Sequence, residues 1–301
     1  MKKKYDAIVI AGPTGVGKTS LSIKLAQALR GEIISSDSAQ VFKELDIGTA
    51  KITSDEMSGI PHHLIDILTP TKKYSVGDFQ LDCEKVLKDL EQREIFPIVV
   101  GGTGLYLDSI TEGLSKLPPA DKELRASFTD ISTEDLYAQL QNLDLEAANN
   151  IHPNNRVKVE RALEVCLISK DKFSTLSKQN IKNNNFTFLK VALERDRDHL
   201  YSRINQRVDI MIEQGLVEEV TYLFKKYGDS LKMLNIIGYS EIISYLEGSI
   251  TLEESIEKIK QNSRHYAKRQ FTWFRNSQDY IWYNLDELSE SEIIADILNK
   301  L

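Results

Sequence analysis

The chain carries the stretch Gly12-Pro13-Thr14-Gly15-Val16-Gly17-Lys18-Thr19 directly after an apolar run at residues 7–10. It matches the pattern of a phosphate-binding loop (P-loop), in which successive backbone N–H groups at a helix N-terminus face phosphate oxygens. The pattern requires a strand before the loop and a helix after it, and residues 18–29 have the composition of such a helix. The stretch therefore predicts a strand–loop–helix unit that binds a di- or triphosphate, and a simple glycine-rich turn is the alternative.

Within this loop the residues have separate predicted roles. Lys18 supplies a positive charge to the outer phosphate, and the Thr19 hydroxyl is placed to bind a Mg²⁺ ion that bridges two phosphate oxygens. The glycines allow the backbone path that such a loop needs. We expect the phosphates to contact Gly12, Thr14, Gly15, Val16, Gly17, Lys18 and Thr19, with Thr19 also at the metal.

Length and charge limit the classes of protein to consider. The 301 residues, 41% of them apolar, are enough to bury the core of one or two domains. A net charge of −7 argues against a protein that coats nucleic acid through a broad basic surface, but it leaves room for a local basic site. Each basic cluster alone is weak support, because charge runs on helices are usually solvated. The clusters are Arg156, Lys158 and Arg161; Arg195, Arg197, Arg203 and Arg207; and Arg264, Lys268, Arg269 and Arg275.

The sequence also bears on cellular location. No apolar run approaches the ~20 residues needed to span a bilayer, and residues 1–4 lead into the first predicted strand without the apolar stretch of a signal peptide. We therefore expect a cytoplasmic protein with no membrane association. Cys83 and Cys166 are isolated from each other in sequence, so packing is their expected role.

The pattern of apolar residues predicts an α/β fold, with a P-loop NTPase-like parallel sheet flanked by helices. Strands are predicted at residues 7–10, 32–35 and 98–100, and they alternate with helices at 18–29 and 76–94. A further strand at 186–193 rejoins the sheet, and a long helix after it carries Arg203 and Arg207, four residues apart, on one face. The rest of the chain is predicted to be more helix.

Residues 117–185 differ from the rest in having only helical periodicity. Leu136, Leu140 and Leu143 are spaced as one apolar face, and Asn154 and Asn155 are suited to cap a helix that runs to Ile168. We interpret this segment as an inserted helical subdomain within a catalytic core formed by residues 1–116 and 186–301.

Three motifs follow predicted strands at the edge where ligands bind in parallel sheets: the P-loop, Asp37, and Gly101-Gly102-Thr103. P-loop ATPases and GTPases usually hold Mg²⁺ with an acid at a strand end, but here the strand at 98–100 ends in Gly101. Asp37 is the available carboxylate, and its roles as a general base or as a turn or helix-cap residue are equally supported. The glycine-rich segment faces an anion or a base edge, or it is simply a tight turn, which is the simpler interpretation.

Two aromatic pairs remain open in function. His62 and His63 would point to opposite faces of a strand, which argues against joint metal binding; one is interpreted as packed and hydrogen-bonded, and the role of the other is undecided. Trp273 and Phe274 are suited to stack on a base, although aromatic residues in a helix belong more often to the core.

Taken in order, seven segments make the sequence similar to the bacterial tRNA dimethylallyltransferases, also called tRNA isopentenyltransferases. The set spans nearly the whole chain and is much more specific than the P-loop alone. The segments are the P-loop itself, Ser36-Asp37-Ser38-Ala39-Gln40-Val41-Phe42, Asp46-Ile47-Gly48-Thr49-Ala50-Lys51, Pro61-His62-His63-Leu64-Ile65-Asp66, Val100-Gly101-Gly102-Thr103-Gly104-Leu105-Tyr106, Ile151-His152-Pro153-Asn154-Asn155-Arg156, and Lys268-Arg269-Gln270 with Thr272-Trp273-Phe274-Arg275.

This resemblance implies an enzyme that transfers a dimethylallyl group from dimethylallyl diphosphate to the exocyclic amine (N6) of the adenosine adjacent to the anticodon in tRNA, releasing diphosphate. The P-loop would hold the diphosphate of the prenyl donor, Asp37 would be the base toward the adenine amine, and Arg207 would bind the diphosphate. Thr103 would contact the flipped nucleotide and the leaving group. Further contacts to tRNA and its anticodon stem-loop are expected from Asp37, Ser38, Ala39, Gln40, Arg125, Arg156, Lys158 and Arg161.

Two other functions fit the same loop. A small-molecule or nucleoside kinase would share the sheet and use the helical insert as a lid. A regulatory P-loop NTPase is less well supported, because recognisable switch and base-specificity motifs are absent from the sequence. We expect a monomer, since nothing in the sequence resembles a heptad repeat.

Overall fold

A computed structural model describes residues 4–182 and 184–301 of the chain. Residues 1–3, which entered the signal-peptide argument, and Asn183, within the predicted insert, lie outside the described range. The chain divides into two compact units, of which the first comprises Met1–Thr111 with Asn184–Leu301 and the second comprises Glu112–Asn183. The predicted insert comprised residues 117–185.

The first unit is built on a six-stranded sheet in which neighbouring strands all run parallel. The strands are β1 (Ala7–Ala11), β2 (Gly31–Ser36), β3 (His62–His63), β4 (Phe96–Gly101), β7 (Phe188–Glu194) and β8 (Ile281–Asn284), whereas β5 (Leu114–Ser115) and β6 (Asn180–Ile181) pair antiparallel in the second unit. The strand order is β3-β2-β4-β1-β7-β8. This confirms the predicted α/β fold with a parallel sheet.

The first strand, β1, is covered on both faces. Its side chains alternate between the two sides of the sheet, so that Ile8 and Ile10 join one apolar cluster and Ala7, Val9 and Ala11 join another. All five residues are fully buried. A continuous apolar run of this kind is typical of a parallel strand that has helices on both sides.

Some helices of the first unit begin where a side chain satisfies one of their first N–H groups. Ser75, Thr251 and Ser289 each accept from the backbone N–H three residues on, and the acid at that position bonds back to form a capping box. The predicted helices at 18–29 and 76–94 are both present. The helices are α1 (Lys18–Leu29), α2 (Val76–Gln92), α3 (Gly104–Thr111), α9 (Arg197–Glu213), α10 (Leu216–Tyr227), α11 (Asp229–Met233), α12 (Tyr239–Leu246), α13 (Leu252–Arg275) and α14 (Glu290–Lys300).

The prediction that the rest of the chain after the long helix with Arg203 and Arg207 is more helix is wrong at β8. This strand pairs parallel with β7, with Val191 opposite Ile281 and Leu193 opposite Tyr283. It is four residues long and has a single neighbouring strand. Such a short segment between two long helical patterns has too little periodicity to be recognised, and it forms because β7 offers hydrogen-bonding partners.

The second unit is helical with an apolar core of its own. Leu136 and Leu140 are fully buried as predicted, but Leu143 is exposed and lies off that face. Asn155 caps α7 by accepting from the backbone N–H of Lys158, which confirms the predicted cap. The helices are α4 (Lys122–Ser127), α5 (Thr133–Leu143), α6 (Leu145–Asn150), α7 (Arg156–Ser169) and α8 (Phe173–Leu176).

Two smaller expectations concern membranes and cysteines. Within the part of the chain that the structure describes, no helix has both the length and the apolar character to cross a bilayer. Cys83 and Cys166 are free thiols that lie buried, which confirms that their role is packing.

Candidate active site at the carboxyl edge of the sheet

Three loops meet at the carboxyl edge of the sheet because the strands before them pair in register. Ala11 at the end of β1 lies opposite Gly101 at the end of β4, and Gly101 lies opposite Ser36 at the end of β2. The residues that follow these strand ends form one rim. The predicted convergence of the P-loop, Asp37 and Thr103 is therefore present.

The P-loop, residues 12–17, runs tightly against the neighbouring strand. Gly12 has a φ of 146°, and a Cβ atom there would lie 2.8 Å from the carbonyl oxygen of Leu193. Only glycine fits this position without displacing β7. The loop backbone is thus held close to the sheet, with α1 beginning directly after it.

Lys18 closes this loop from its helical end. Its Nζ donates to the carbonyl oxygens of Gly12 and Pro13, at 2.8 Å each. Burial of the ammonium group lowers the pKa of Lys18 to about 7; nearby Asp37 opposes that effect, and Arg207 adds to it. A bound polyanion would favour the charged form and raise this pKa again.

Three arginines contact the loop from the end of β7 and from α9. Two of them donate to backbone carbonyls, which shapes the loop, while the third reaches a loop hydroxyl and is suited to face a ligand. Burial lowers the pKa of that third guanidinium, although the charge of Asp37 opposes the effect. The contacts are Arg195 Nε to the Val16 carbonyl (2.9 Å), Arg203 Nε to the Gly15 carbonyl (3.0 Å) and Arg207 Nη1 to the Thr14 hydroxyl (3.4 Å).

Asp37 has a structural contact and also lies at the centre of the rim. Its Oδ1 accepts from the backbone N–H groups of Ala39 (2.8 Å) and Gln40 (3.3 Å), so the turn role considered from the sequence is real. Among the described residues no hydrogen bond to Oδ2 is found, which leaves that oxygen available for another role. The Gln40 side chain in turn donates to the carbonyl oxygens of Thr49 and Ala50, which fixes the end of the turn.

Thr103 joins the turn after β4 to the Asp37 loop. Its Oγ1 accepts from the backbone N–H of Ser38 at 3.2 Å, and its own N–H points to the Ser36 carbonyl at 3.4 Å. The glycine-rich segment is thus a tight strand-to-helix turn, as the simpler interpretation held. Thr103 and Asp37 are adjacent in space through these contacts.

Two cavities adjoin Asp37. A small one of about 80 Å³ is lined by Lys18, Thr19, Ser35 and His62, among others. A larger one of about 810 Å³ is lined by Thr14, Arg207, Tyr106 and Tyr266 together with apolar residues of α9 and α13. Asp37 lines both cavities, so its side chain is close to a group that binds in either of them.

Tyr106 and Tyr266 of the larger cavity are kept neutral by their surroundings. Burial and, to a smaller extent, the charge of Asp37 raise the pKa of Tyr106 to about 12. Burial also raises the pKa of Tyr266, and the charge of Asp37 acts in the same direction. Both phenols are therefore protonated at neutral pH, and they give this cavity aromatic walls.

The donor set near Thr19 fits a hard cation that is held chiefly by a ligand's phosphates. The Thr19 hydroxyl and the Asp37 carboxylate line the same small cavity, and both offer oxygen, which Mg²⁺ prefers. No group of three or more His, Cys, Asp or Glu side chains suited to a metal occurs among the described residues. Mg²⁺ commonly binds in this way, through one or two protein oxygens plus substrate phosphates.

In the second unit, three of the four predicted tRNA-binding residues have internal partners. Arg125 and Arg161 both bond Glu164, which is 0% exposed, and Arg156 donates to the carbonyl oxygens of Phe128 and Ile131. Burial acts to raise the pKa of Glu164, but the hydrogen bonds from these arginines lower it overall. The fourth residue, Lys158, is exposed, and within the described ranges its ammonium has no ion-pair partner.

The aromatic pairs left open by the sequence have defined contacts. His62 donates from Nδ1 to the Ile60 carbonyl at 2.8 Å, and His63 Nε2 lies 2.7 Å from a carboxylate oxygen of Glu32. Both histidines are therefore hydrogen-bonded. Phe274 is fully buried, whereas Trp273 is 44% exposed and donates from Nε1 to Asp108.

Sequence reasoning missed several residues that shape this rim. Arg195 appeared only as a member of a charge cluster, Arg203 only in that cluster and by its spacing from Arg207, and Gln270 only as part of a motif. The spacing of Arg203 and Arg207 was the one available signal, since residues four apart share a helix face. No feature of the sequence pointed to Glu219. Its carboxylate accepts from three successive backbone N–H groups at residues 46–48 and from a tyrosine hydroxyl.

Comparisons with known proteins identify the family to which the chain belongs. The family model described as IPP transferase matches residues 40–277, and that described as isopentenyl transferase matches residues 5–67. The tRNA dimethylallyltransferase of Fusobacterium nucleatum is 59% identical over 97% of this chain and 95% of its own length. That of Bacillus subtilis is 42% identical, covering 99% and 98% of the two chains.

Solved structures of the same kind match the fold. A full-length tRNA isopentenylpyrophosphate transferase from Bacillus halodurans superposes with a TM-score of 0.74 at 40% identity, covering 99% of this chain and 97% of that one. A eukaryotic dimethylallyltransferase described as acting on tRNA superposes with a TM-score of 0.82 at 30% identity, covering 98% and 80%. These matches extend over the P-loop, the Asp37 turn and the inserted helices alike, and they do not favour a kinase. The chain belongs to the tRNA dimethylallyltransferase family of IPP transferases.

Proposed function

We propose that this protein transfers a dimethylallyl group from dimethylallyl diphosphate to N6 of the adenosine adjacent to the anticodon in tRNA and releases diphosphate. The observation that carries the proposal is the position of Asp37, which lines both cavities beside Lys18 and Arg207. Strand β4 ends in Gly101 and not in the acid that P-loop nucleotide hydrolases usually have there, so the Asp37 carboxylate beside the phosphate loop suits proton abstraction from an acceptor better than nucleotide hydrolysis.

The donor would bind by its diphosphate in the P-loop. Free N–H groups of the loop, Lys18 and Arg207 supply positive charge where the leaving oxygen becomes negative, and such preorganised donors give a large share of the rate enhancement. If Mg²⁺ is bound, Thr19 would hold it beside the phosphates, where it supplies additional charge neutralisation. Arg195 and Arg203 support this arrangement by fixing loop carbonyls.

The acceptor would place its adenine beside Asp37 and Thr103. The lone pair of N6 is delocalised into the ring, so attack on the allylic carbon requires a positioned base and a strongly electrophilic carbon. As the N6–carbon bond forms, the carbon–oxygen bond to diphosphate breaks and its electron pair leaves with diphosphate. The N6 proton passes to the Asp37 carboxylate, whose Oδ2 is the available atom.

The target base must leave its stack to reach this rim. Unstacking costs a few kcal/mol and is least costly in a single-stranded loop, which makes an anticodon loop a suitable substrate. We assign further tRNA contacts to Ser38, Ala39 and Gln40 beside Asp37 and to Arg125, Arg156, Lys158 and Arg161 in the second unit. The basic residues would contact phosphates, giving salt-sensitive affinity on an acidic protein.

The experiment that tests this function uses labelled dimethylallyl diphosphate and bulk bacterial tRNA. We expect label in tRNA, located on a single adenosine after nuclease digestion, and no requirement for ATP. ATP-dependent phosphorylation of a small molecule without label in tRNA would instead establish the kinase alternative.

We further propose a cytoplasmic monomer, which the tRNA substrate and the lack of a heptad repeat support. Sedimentation at several concentrations tests the oligomeric state.

A further inference from the structure

Gln270 of α13 connects two of the three loops at the rim. Its Oε1 accepts from the backbone N–H of Thr14 in the P-loop at 2.9 Å, and its Nε2 donates to the carbonyl oxygen of Gly102 at 2.9 Å. The side chain is 6% exposed. One amide therefore bonds the P-loop and the turn after β4 at the same time, and both of its ends are used.

The close approach of Gly102 makes this connection specific. A Cβ atom on Gly102 would lie 2.1 Å from Gln270 Nε2 and 3.2 Å from the Gly12 carbonyl oxygen. Gly104 has a similar contact, since its Cβ would lie 2.2 Å from the Trp273 ring. Helix α13 is thus seated on the turn at two points three residues apart, on one face of the helix.

The connection continues from Gly102 to the proposed base. Thr103, the next residue, accepts from the Ser38 N–H, and Ser38 adjoins Asp37 in the chain. A continuous path of hydrogen bonds and one peptide unit therefore runs from the P-loop through Gln270 to the Asp37 turn. The two ends of this path are the groups that would hold the leaving group and accept the proton.

The plain alternative is a buried glutamine that only satisfies core groups. Its hydrogen bonds would then join whichever polar atoms lie nearest, and their loss would affect only the stability of the protein. Here the partners lie 256 and 168 residues away along the chain, and each lies in a loop proposed to bind a substrate. One partner, the Thr14 N–H, belongs to the loop whose N–H groups would otherwise face phosphate.

We propose that Gln270 is a positioning residue that sets the distance between the P-loop and the Thr103–Asp37 side of the rim. In doing so it removes the Thr14 N–H from the phosphate-binding donors, which leaves Thr14 to contact the donor through its hydroxyl. This inference rests on the proposed function for its kinetic consequence but not for its effect on diphosphate binding. Displacements of about 1 Å in such arrangements cost as much as ~100-fold in rate.

Two variants and one control test this role. Gln270→Met keeps the size of the side chain and removes both hydrogen bonds. Gln270→Glu keeps an acceptor for the Thr14 N–H but places a carboxylate oxygen against the Gly102 carbonyl. Thr272→Ala is the matched control on the same helix, because the residue is exposed and, in the part of the chain that the structure describes, its hydroxyl bonds just the Lys268 carbonyl within α13.

For Gln270→Met we expect kcat for prenyl transfer to fall about 10- to 100-fold while KM for tRNA changes little. Binding of inorganic diphosphate, measured by calorimetry, should weaken by about 10-fold because the loop is no longer preorganised. Thr272→Ala should match the wild type in both. A Gln270→Met protein that is folded by circular dichroism, with kcat and diphosphate affinity within about twofold of Thr272→Ala, would overturn the proposal.

The pH dependence of kcat in Gln270→Glu distinguishes the positioning role from a purely structural one. Protonating the introduced carboxylate restores a donor toward Gly102, so the ratio of variant to wild-type kcat should rise as pH falls. A ratio that is independent of pH would overturn the proposal even if Gln270→Met failed to fold. If the wild type prenylates no tRNA but Gln270→Met still binds diphosphate more weakly, the proposed function fails while the role of Gln270 in the loop stands.

Discussion

Arg195 donates from Nε to the carbonyl oxygen of Val16 at 2.9 Å, which ties the end of β7 to the middle of the P-loop. The same guanidinium pairs with Asp286 at 2.5 Å, and that carboxylate also accepts from the Asp196 N–H and contacts His199. The P-loop is therefore supported by a small polar network in which Arg195, Asp286 and His199 bond one another and the backbone.

Replacing Arg195 by Met should weaken diphosphate binding because the loop loses this support. We expect the Kd for inorganic diphosphate to rise about 10-fold. Because the Asp286 side chain is only 15% exposed and would lose its main partner, the free energy of unfolding should fall by about 1–3 kcal/mol. Calorimetry and urea unfolding measure the two effects. Arg197→Met, which changes an exposed arginine nearby, is the control, and equal diphosphate affinities in the two variants would exclude the supporting role.

Asp37→Asn separates the two roles of Asp37. The amide oxygen still accepts from the Ala39 and Gln40 N–H groups, so the turn should persist, but the base is lost. We expect single-turnover prenyl transfer to slow by about 10²- to 10⁴-fold, with tRNA and diphosphate binding within about twofold of the wild type. Transfer at the native rate would show that another group takes the proton.

The lowered pKa of Lys18 predicts a pH dependence for diphosphate binding. Below about pH 7 the free protein already carries the charged ammonium, whereas above it Lys18 is largely neutral and must take up a proton to pair with the anion. Affinity should therefore fall as pH rises above about 7, because binding is linked to proton uptake. Calorimetry in buffers of different ionisation enthalpy counts the protons. The uptake should vanish in Lys18→Met after subtraction of the ligand's own titration; equal uptake in both proteins would refute the assignment.

Glu219→Ala should loosen the loop that follows Leu45. The carboxylate accepts from the N–H groups of residues 46, 47 and 48 and from the Tyr239 hydroxyl, so its removal leaves several partly buried donors without partners. We expect the free energy of unfolding to fall by about 2–3 kcal/mol. Glu218→Ala alters the exposed neighbour and should change it by less than about 0.5 kcal/mol. Similar unfolding midpoints for the two variants would contradict this account.

Lys158 and Arg161 should differ in what they contribute. Lys158→Ala should reduce the slope of log affinity against log salt for tRNA by about 1 and leave thermal stability unchanged, since the exposed ammonium is free to contact a phosphate. Arg161→Ala removes one of two arginines that pair with the buried Glu164, so it should also lower the melting temperature. A salt slope unchanged by Lys158→Ala would remove that residue from the tRNA contacts.

Much of the fold was accessible from local sequence. The strands ending at Ala11, Ser36 and Gly101 and the helix starting at Lys18 follow from apolar runs, a loop motif and their spacing. One exception, β8, depends on pairing with β7 and has no strong local signal, and the short strands β5 and β6 were not predicted either. The site was predictable only in part. The convergence of the P-loop, Asp37 and Thr103 followed from the parallel sheet, whereas the sequence did not decide between the base and turn roles of Asp37.

The amino-acid sequence by itself determined the family, the strand–loop–helix unit and the set of loops at one edge of the sheet, because these depend on residues close together in the chain. Only the tertiary structure decided that Gln270 bonds Thr14 and Gly102, that Arg195 and Arg203 hold loop carbonyls, and that Arg125 and Arg161 share Glu164. Contacts of this kind join residues that are far apart along the chain. They arise from how whole helices pack on the sheet, and no short stretch of sequence encodes that packing.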